Sequence, residues 1–289
     1  MSRVFEALRQ HELKAPGSEL GDAKAPPSTE LLHNLEGEMP NLSQAKQLRL
    51  ELGKESELIA LTDAYSMAAE KFRLLALRIR HIQEKRPLRK LLVTSSVVQD
   101  GKSLISANLA YTMAVRESQK VLLIEGDLRQ PRLGQIFHQP RLAGLSEWAA
   151  GREPITNYLY RIDNAPLWFL PAGWISQNPL DTLHSERLSE LMTQLADWFD
   201  CIVIDAPPVV PLADTHVWEA LADATLLIVR EGKTPKKQLE KALEILDKKK
   251  IIGAVLNEAT ITHQKYYGYY NRPPAPAQGA SDSGAENRK

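Results

Sequence analysis

The sequence predicts a doubly wound α/β domain with a mostly parallel sheet over residues 57–262. Three observations predict it. Short, continuously apolar segments recur along the chain, among them Leu91-Leu92-Val93 and the stretches 121–124, 201–204, 225–229 and 251–256. Segments with helical spacing of apolar residues alternate with them. The first apolar segment runs directly into Gly101-Lys102-Ser103, which opens one of those helical segments. Strands without polar alternation are covered on both faces, as in parallel sheets flanked by helices.

Taken in order, Leu61, Ala64, Met67, Ala68, Phe72, Leu75 and Ile79 recur at helical spacing and predict one helix over 57–86. A buried strand follows over 89–95. A helix over 102–117 carries Leu104, Ile105, Leu109 and Met113 on its apolar side. Further strands are expected at 121–124, 167–170, 201–204, 225–229 and 251–256, and a helix at 186–198. Thr234 followed by Pro235 reads as an N-cap and first-turn proline, opening a helix that carries Leu239, Leu243 and Leu246 inward.

The flanks have a different composition. Residues 1–13 form a short amphipathic stretch with Val4, Phe5 and Leu8 on one face. It is too short to be a stable helix alone, and reads as a frayed end or as a docking helix. Residues 14–56 are rich in Pro, Gly, Ser, Glu and Lys, which predicts a disordered linker. Residues 263–289 hold a tyrosine cluster and a tail rich in Pro, Ala, Gly and Ser.

The 36 basic and 36 acidic residues balance, which argues against wholesale nucleic-acid binding, where a basic excess is usual. Cys201 is the one cysteine and begins an apolar run. It reads as a small buried hydrophobe in a reducing compartment. No apolar run reaches the roughly 18 residues of a membrane helix, and the first residues lack the apolar core of a secretion signal. A soluble cytoplasmic protein is expected, with any membrane association supplied by a partner.

The segment Ser95-Ser96-Val97-Val98-Gln99-Asp100-Gly101-Lys102-Ser103, between strand and helix, has the Walker A arrangement, with Ser96 where the first glycine often stands. Unpaired N–H groups in such a loop and at the helix start face phosphate oxygens. Lys102 would bridge the β- and γ-phosphates of ATP, and Ser103 would offer its hydroxyl to Mg²⁺. The expected nucleotide contacts run from Ser96 through Asp100, Gly101, Lys102 and Ser103 to Leu104. The loop is poor in glycine, the residue for which positive φ is least costly.

Two strands end in acidic residues: Glu125-Gly126-Asp127 after 121–124, and Asp205 after 201–204. Ligands of parallel sheets bind beyond the carboxyl ends of the strands, so both acidic ends should face the phosphate loop. Asp205 suits the Walker B role at Mg²⁺, Asp127 would complete the metal shell, and Glu125 would accept a proton from an attacking hydroxyl. Each alternatively reads as a solvated turn carboxylate. Arg129 and Arg132 read equally as phosphate ligands or as partners in structural ion pairs. Tyr266, Tyr267, Tyr269 and Tyr270 place four of the chain's eight tyrosines in five positions. They read as phosphate acceptors, each gaining roughly −1.5 to −2 charges, or as an aromatic docking patch or edge strand.

With these residues assembled, the chain resembles the bacterial tyrosine kinases of polysaccharide export in their stand-alone cytoplasmic CpsD/CapB form. The resemblance is carried by Asp100-Gly101-Lys102-Ser103, by the run from Leu123 through Glu125, Asp127 and Arg129 to Arg132, by Leu170-Pro171-Ala172-Gly173 with Asn178-Pro179, by Ile202-Val203-Ile204-Asp205-Ala206-Pro207-Pro208, by Val255-Leu256-Asn257 and by the tyrosine cluster. It implies an ATP- and Mg²⁺-dependent autokinase that phosphorylates C-terminal tyrosines of a neighbouring copy and regulates exopolysaccharide or capsule synthesis. It also implies a homo-oligomer, a membrane co-polymerase that activates the kinase, a tyrosine phosphatase, recruitment to the inner face of the membrane, and a place for Asn257 near the adenine.

Three positions depart from the family pattern. Glu125 stands where Asp is usual, and Val98-Gln99 where Pro-Gly is usual. Glu70 and Arg73 match the family's oligomerisation motif Glu-x-x-Arg-x-x-Arg, but Ala76 holds the second arginine position, with Arg78 and Arg80 nearby. Two other functions fit the loop: a partitioning-type ATPase of the same fold, whose signature lysine would stand at Ser96, and a non-catalytic nucleotide-binding scaffold.

Overall fold

The computed structural model describes residues 42, 45–53, 56–139, 141–163, 165–174, 183, 186–210 and 214–259. The apolar runs become strands β2 (Lys90–Ser95), β3 (Val121–Glu125), β5 (Leu167–Leu170), β6 (Cys201–Asp205), β7 (Ala224–Arg230) and β8 (Ile251–Asn257), joined by two short strands, β1 (Lys46–Leu48) and β4 (Tyr160–Ile162). They form one eight-stranded sheet in the order β1-β4-β5-β3-β6-β2-β7-β8. All pairings are parallel except β4 with β5.

The absence of polar alternation in β2, β3 and β6 follows from packing on both faces. On one face Leu91, Val93, Leu123 and Val203 join Phe72, Ile79, Ile105, Leu109 and Met113. On the other, Leu92, Leu122, Ile124, Ile202 and Ile204 join Leu188, Leu191, Leu195 and Trp218. Alternate residues of each strand thus enter opposite cores. Each such buried side chain contributes roughly 1.5–3 kcal/mol of transfer free energy. The helices that cover the sheet are α1 (Ile59–Thr62), α2 (Met67–Lys85), α3 (Lys102–Arg116), α4 (Leu133–Ile136), α5 (Leu145–Ala150), α6 (Glu186–Trp198), α7 (Asp214–Leu221) and α8 (Lys236–Ile245).

The structure differs from the sequence expectation in three places. The helix expected over 57–86 is broken at 63–66, because Ser66 caps a new helix by accepting the Ala69 N–H at 3.1 Å. The face that α2 buries is Ala69, Phe72, Ala76 and Ile79, while Met67 is exposed. The segment expected to be linker contains β1, which buries only Leu48. One buried residue in a three-residue edge strand leaves no compositional trace. Thr234 does not cap α8; Pro235 occupies the N-cap position, and the threonine hydroxyl turns toward the phosphate loop. Residues 1–13 and the tail from 260 onward lie outside the described residues, as does most of 14–44.

Candidate nucleotide site

Strand β2 ends at Ser95, and after six intervening residues α3 begins at Lys102. Gly101, the N-cap, has φ +95° and so needs the left-handed region. A Cβ there would also lie 2.2 Å from Asn257 Nδ2. The turn leaves the first N–H groups of α3 facing out of the helix start, where the helix dipole favours an anion.

Lys102 is buried, and its charge opposes the rise in proton affinity that burial imposes on Asp100, Asp127 and Asp205. Asp205 is fully buried at the end of β6, in register with Glu125 of β3 and Val93 of β2. Burial pushes its carboxyl up to about 7, against the opposing pull of Lys102 and the Ser103 hydroxyl. Ser106 Oγ lies 3.3 Å from Asp205 Oδ1. The second oxygen, Oδ2, is buried with no hydrogen-bond partner among the described residues, and so are Asp100 Oδ2 and Ser96 Oγ. Buried polar atoms are rarely left unsatisfied. Two in the phosphate loop and one at the end of β6 fit a site completed by a ligand.

Asp127 is buried two residues beyond β3. Burial raises its proton affinity, and the Gln130 N–H, donating to Oδ1 at 3.0 Å, opposes the rise. Ser103, Asp127 and Asp205 supply hard oxygen donors. They suit Mg²⁺, which takes one or two carboxylates and otherwise keeps water and substrate phosphates.

Glu125 stands at the end of β3, as expected, with both carboxylate oxygens already engaged. Its Oε1 accepts the Leu133 and Gly134 N–H groups at 2.5 and 3.3 Å, and its Oε2 accepts the Ala172 N–H at 3.1 Å. Both oxygens are spent on backbone donors: two at the start of α4, one just past β5. Burial raises its proton affinity all the same. This carboxylate ties the second acidic motif to its neighbours.

Of the two readings for the arginines, the ion pair is the one present. Arg129 grips Asp214 with Nε–Oδ2 at 2.7 Å and Nη2–Oδ1 at 3.1 Å, and Asp214 is buried. Arg132 pairs with Glu57 at 3.2 Å on the surface, an arrangement worth little. Asn257 does not stand apart from the loop: its Nδ2 donates to the Asp100 carbonyl at 3.0 Å. Leu104 is half-buried one turn into α3. The four clustered tyrosines, Tyr266, Tyr267, Tyr269 and Tyr270, lie outside the described residues.

Several supporting residues carry no motif in the sequence. The buried Trp218 donates Nε1–H to the Gly126 carbonyl at 3.0 Å and packs so close that a Cβ on Gly126 would sit 2.9 Å from its ring. Thr94 and Thr215 both donate to the Pro207 carbonyl, at 2.7 and 2.9 Å, fixing the turn after Asp205. Only the fold brings these together.

A phosphate loop between a buried strand and a helix, facing two acidic strand ends, defines a P-loop nucleotide-binding protein. No family model matches the chain. The tyrosine-protein kinase YwqD of Bacillus subtilis is 31% identical over 218 residues, spanning 75% of this chain and 92% of that protein. The tyrosine-protein kinase CpsD of Streptococcus pneumoniae serotype 4 is 31% identical over 182 residues, spanning 62% and 80%. The fold is similar to the kinase domain of the Escherichia coli tyrosine kinase ETK, with a TM-score of 0.66 and 24% identity over 73% of this chain and 83% of that one. It is less similar to the septum site-determining protein MinD complexed with Mg-ADP from Pyrococcus horikoshii, with a TM-score of 0.50 and 21% identity over 58% and 69%. By its identity with YwqD over most of both sequences, the chain belongs to the bacterial tyrosine-protein kinases. Among the described residues no helix is long and apolar enough to cross a membrane.

Proposed function

We propose that this kinase transfers the γ-phosphoryl group of ATP to tyrosines of its own 263–289 segment, from one copy to another. Tyr266, Tyr267, Tyr269 and Tyr270 are the acceptors, and the modification regulates exopolysaccharide or capsule synthesis and export. The single observation that carries the reading is the convergence of Lys102 with Asp127 and Asp205, one of whose buried oxygens has no partner among the described residues.

In this mechanism the loop N–H groups and the α3 start bind the phosphates. Lys102 neutralises charge on the transferring group, and because it is buried its field is weakly screened. Ser103, Asp127 and Asp205 would hold Mg²⁺, which would supply charge neutralisation for the phosphates. Glu125, with both oxygens occupied, keeps the Asp127 turn in place. Asp127, whose Oδ1 accepts the Gln130 N–H, is the carboxylate this reading assigns to receive the phenol proton. Positioning and charge neutralisation supply most of the acceleration in such transfers.

The partners in this reading are further copies of the chain, a membrane co-polymerase that recruits and stimulates it in the cytoplasm, and a phosphatase that resets it. Exposed Leu74 and Leu77 on α2 support self-association. Ala76 is fully buried, so that position does not reach a neighbour; Arg80 is held by Glu117 at 2.7 Å.

Incubation with Mg-ATP followed by peptide mass spectrometry tests the proposal. Phosphate on the four tyrosines, lost in Lys102→Ala, is the expected result. Phosphate release without tyrosine modification indicates an ATPase, and nucleotide binding with neither indicates a scaffold.

A further inference from the structure

The phosphate loop has one glycine, Gly101, yet two of its residues lie in the left-handed region: Gly101 at φ +95° and Gln99 at φ +63°. For a residue with a Cβ that region is disfavoured by roughly tenfold in population. Something outside the loop must therefore hold Gln99 there. The ends of β7 and β8 supply it. Arg230 donates from Nη1 to the Gln99 carbonyl at 3.0 Å, across 131 positions of sequence. Its Nη2 is held by Glu258 at 2.6 Å. The Arg230 backbone N–H donates to Thr234 Oγ1 at 2.8 Å, and that hydroxyl donates to Asp100 Oδ1 at 2.8 Å. Two consecutive loop residues are thus fixed by one guanidinium and one hydroxyl.

We propose that Arg230 is a positioning residue that holds the glycine-poor phosphate loop in its nucleotide-binding shape, with Thr234 and Glu258 supporting it. The inference rests on the nucleotide reading of the loop. It assigns Arg230 no contact with substrate: the residue acts through the Gln99 carbonyl. Without that hydrogen bond Gln99 relaxes toward negative φ, the Asp100–Gly101 turn shifts, and the N–H groups leave the phosphates. Glycine at position 99 removes the conformational cost, so the hydrogen bond is then no longer needed.

The experiment uses the full chain and Mg-ADP as the probe, with Arg230→Met (which keeps the aliphatic stem), Gln99→Gly and the double variant. Arg230→Met is expected to weaken Mg-ADP binding and raise KM for ATP about tenfold, with kcat at saturating ATP and the melting temperature little changed. Gln99→Gly alone binds within about twofold of the parent, and in the double variant it restores most of the lost affinity. Unchanged affinity in Arg230→Met overturns the proposal, and so does a loss that Gln99→Gly fails to recover. Should Arg230→Met not fold, Glu258→Ala at the exposed end of the same contact is expected to weaken binding about threefold, again recovered by Gln99→Gly; no change there overturns the proposal. A parent protein that does not bind Mg-ADP would sink the nucleotide reading itself, a result distinct from any variant's behaviour.

Discussion

The two edges of the sheet use the same side chain to opposite ends. Where the strands begin, Asp223 Oδ2 accepts the Arg89 and Lys90 N–H groups at 2.9 and 2.8 Å, and Asp200 Oδ2 accepts the Lys120 N–H at 2.8 Å. Lys90 Nζ lies 3.6 Å from Asp223 Oδ1. These carboxylates complete the backbone of strand entry. Where the strands end, Asp100 and Asp205 are more deeply buried and each leaves an oxygen without a partner among the described residues. Burial raises proton affinity at Asp100, Asp127 and Asp205 by more than Lys102 and the neighbouring hydrogen bonds lower it. Satisfied carboxylates mark the edge that holds the fold, and unsatisfied ones mark the edge that awaits a ligand.

The strongest way to break this contrast is to neutralise one group at the strand ends. Lys102→Ala or Asp205→Asn should lower tyrosine phosphorylation by about 10³-fold in kcat/KM, measured by initial rates, because the first removes the cation that faces the transferring group and the second a carboxylate that would hold Mg²⁺. Glu125→Gln sharpens the contrast within that edge. As a positioning carboxylate satisfied by three N–H groups, it should cost only about tenfold in kcat, whereas loss of a general base costs 10²–10⁴-fold.

At the opposite edge, Asp223→Ala should leave kinase activity within about twofold but lower stability by about 1–3 kcal/mol in denaturant unfolding, since two N–H groups lose their acceptor. The pH dependence of the nucleotide-free protein follows from Asp205. Its folded value, about 7, lies above its ordinary 3.8. Its contribution to stability is therefore full below the ordinary value and is lost as pH rises through about 7. Melting temperature should fall across that window, and Asp205→Asn should flatten the fall. Smallest of all, Trp218→Phe should cost about 1 kcal/mol, the net worth of its bond to the Gly126 carbonyl plus some packing.

Much of this was legible in the chain because the main strands carry unbroken apolar runs. Strands β2, β3, β6, β7 and β8 lie within a residue of their expected ends, and β5 and α6 at theirs. The loop and the acidic ends were legible for the same reason: a parallel sheet fixes where strand ends point. What stayed hidden depends on long-range contact. The short strands β1 and β4 and the short helices α4 and α5 span three to six residues each, too few for a period to show. The occupied state of Glu125 depends on Ala172, forty-seven positions away, and the Arg129–Asp214 pair spans eighty-five. Thr234 followed by Pro235 looked like a cap because the local pattern is right, but Asp100 offers that hydroxyl a buried acceptor.

The most direct test of the open edge is proton release on binding Mg-ADP, measured by calorimetry at pH 7 in two buffers of different ionisation enthalpy. With Asp205 titrating at about 7, binding to the parent protein should release about half a proton more than binding to Asp205→Asn. Equal release from the two proteins would mean that the buried carboxylate does not meet the metal–nucleotide complex, and would contradict the account at its centre.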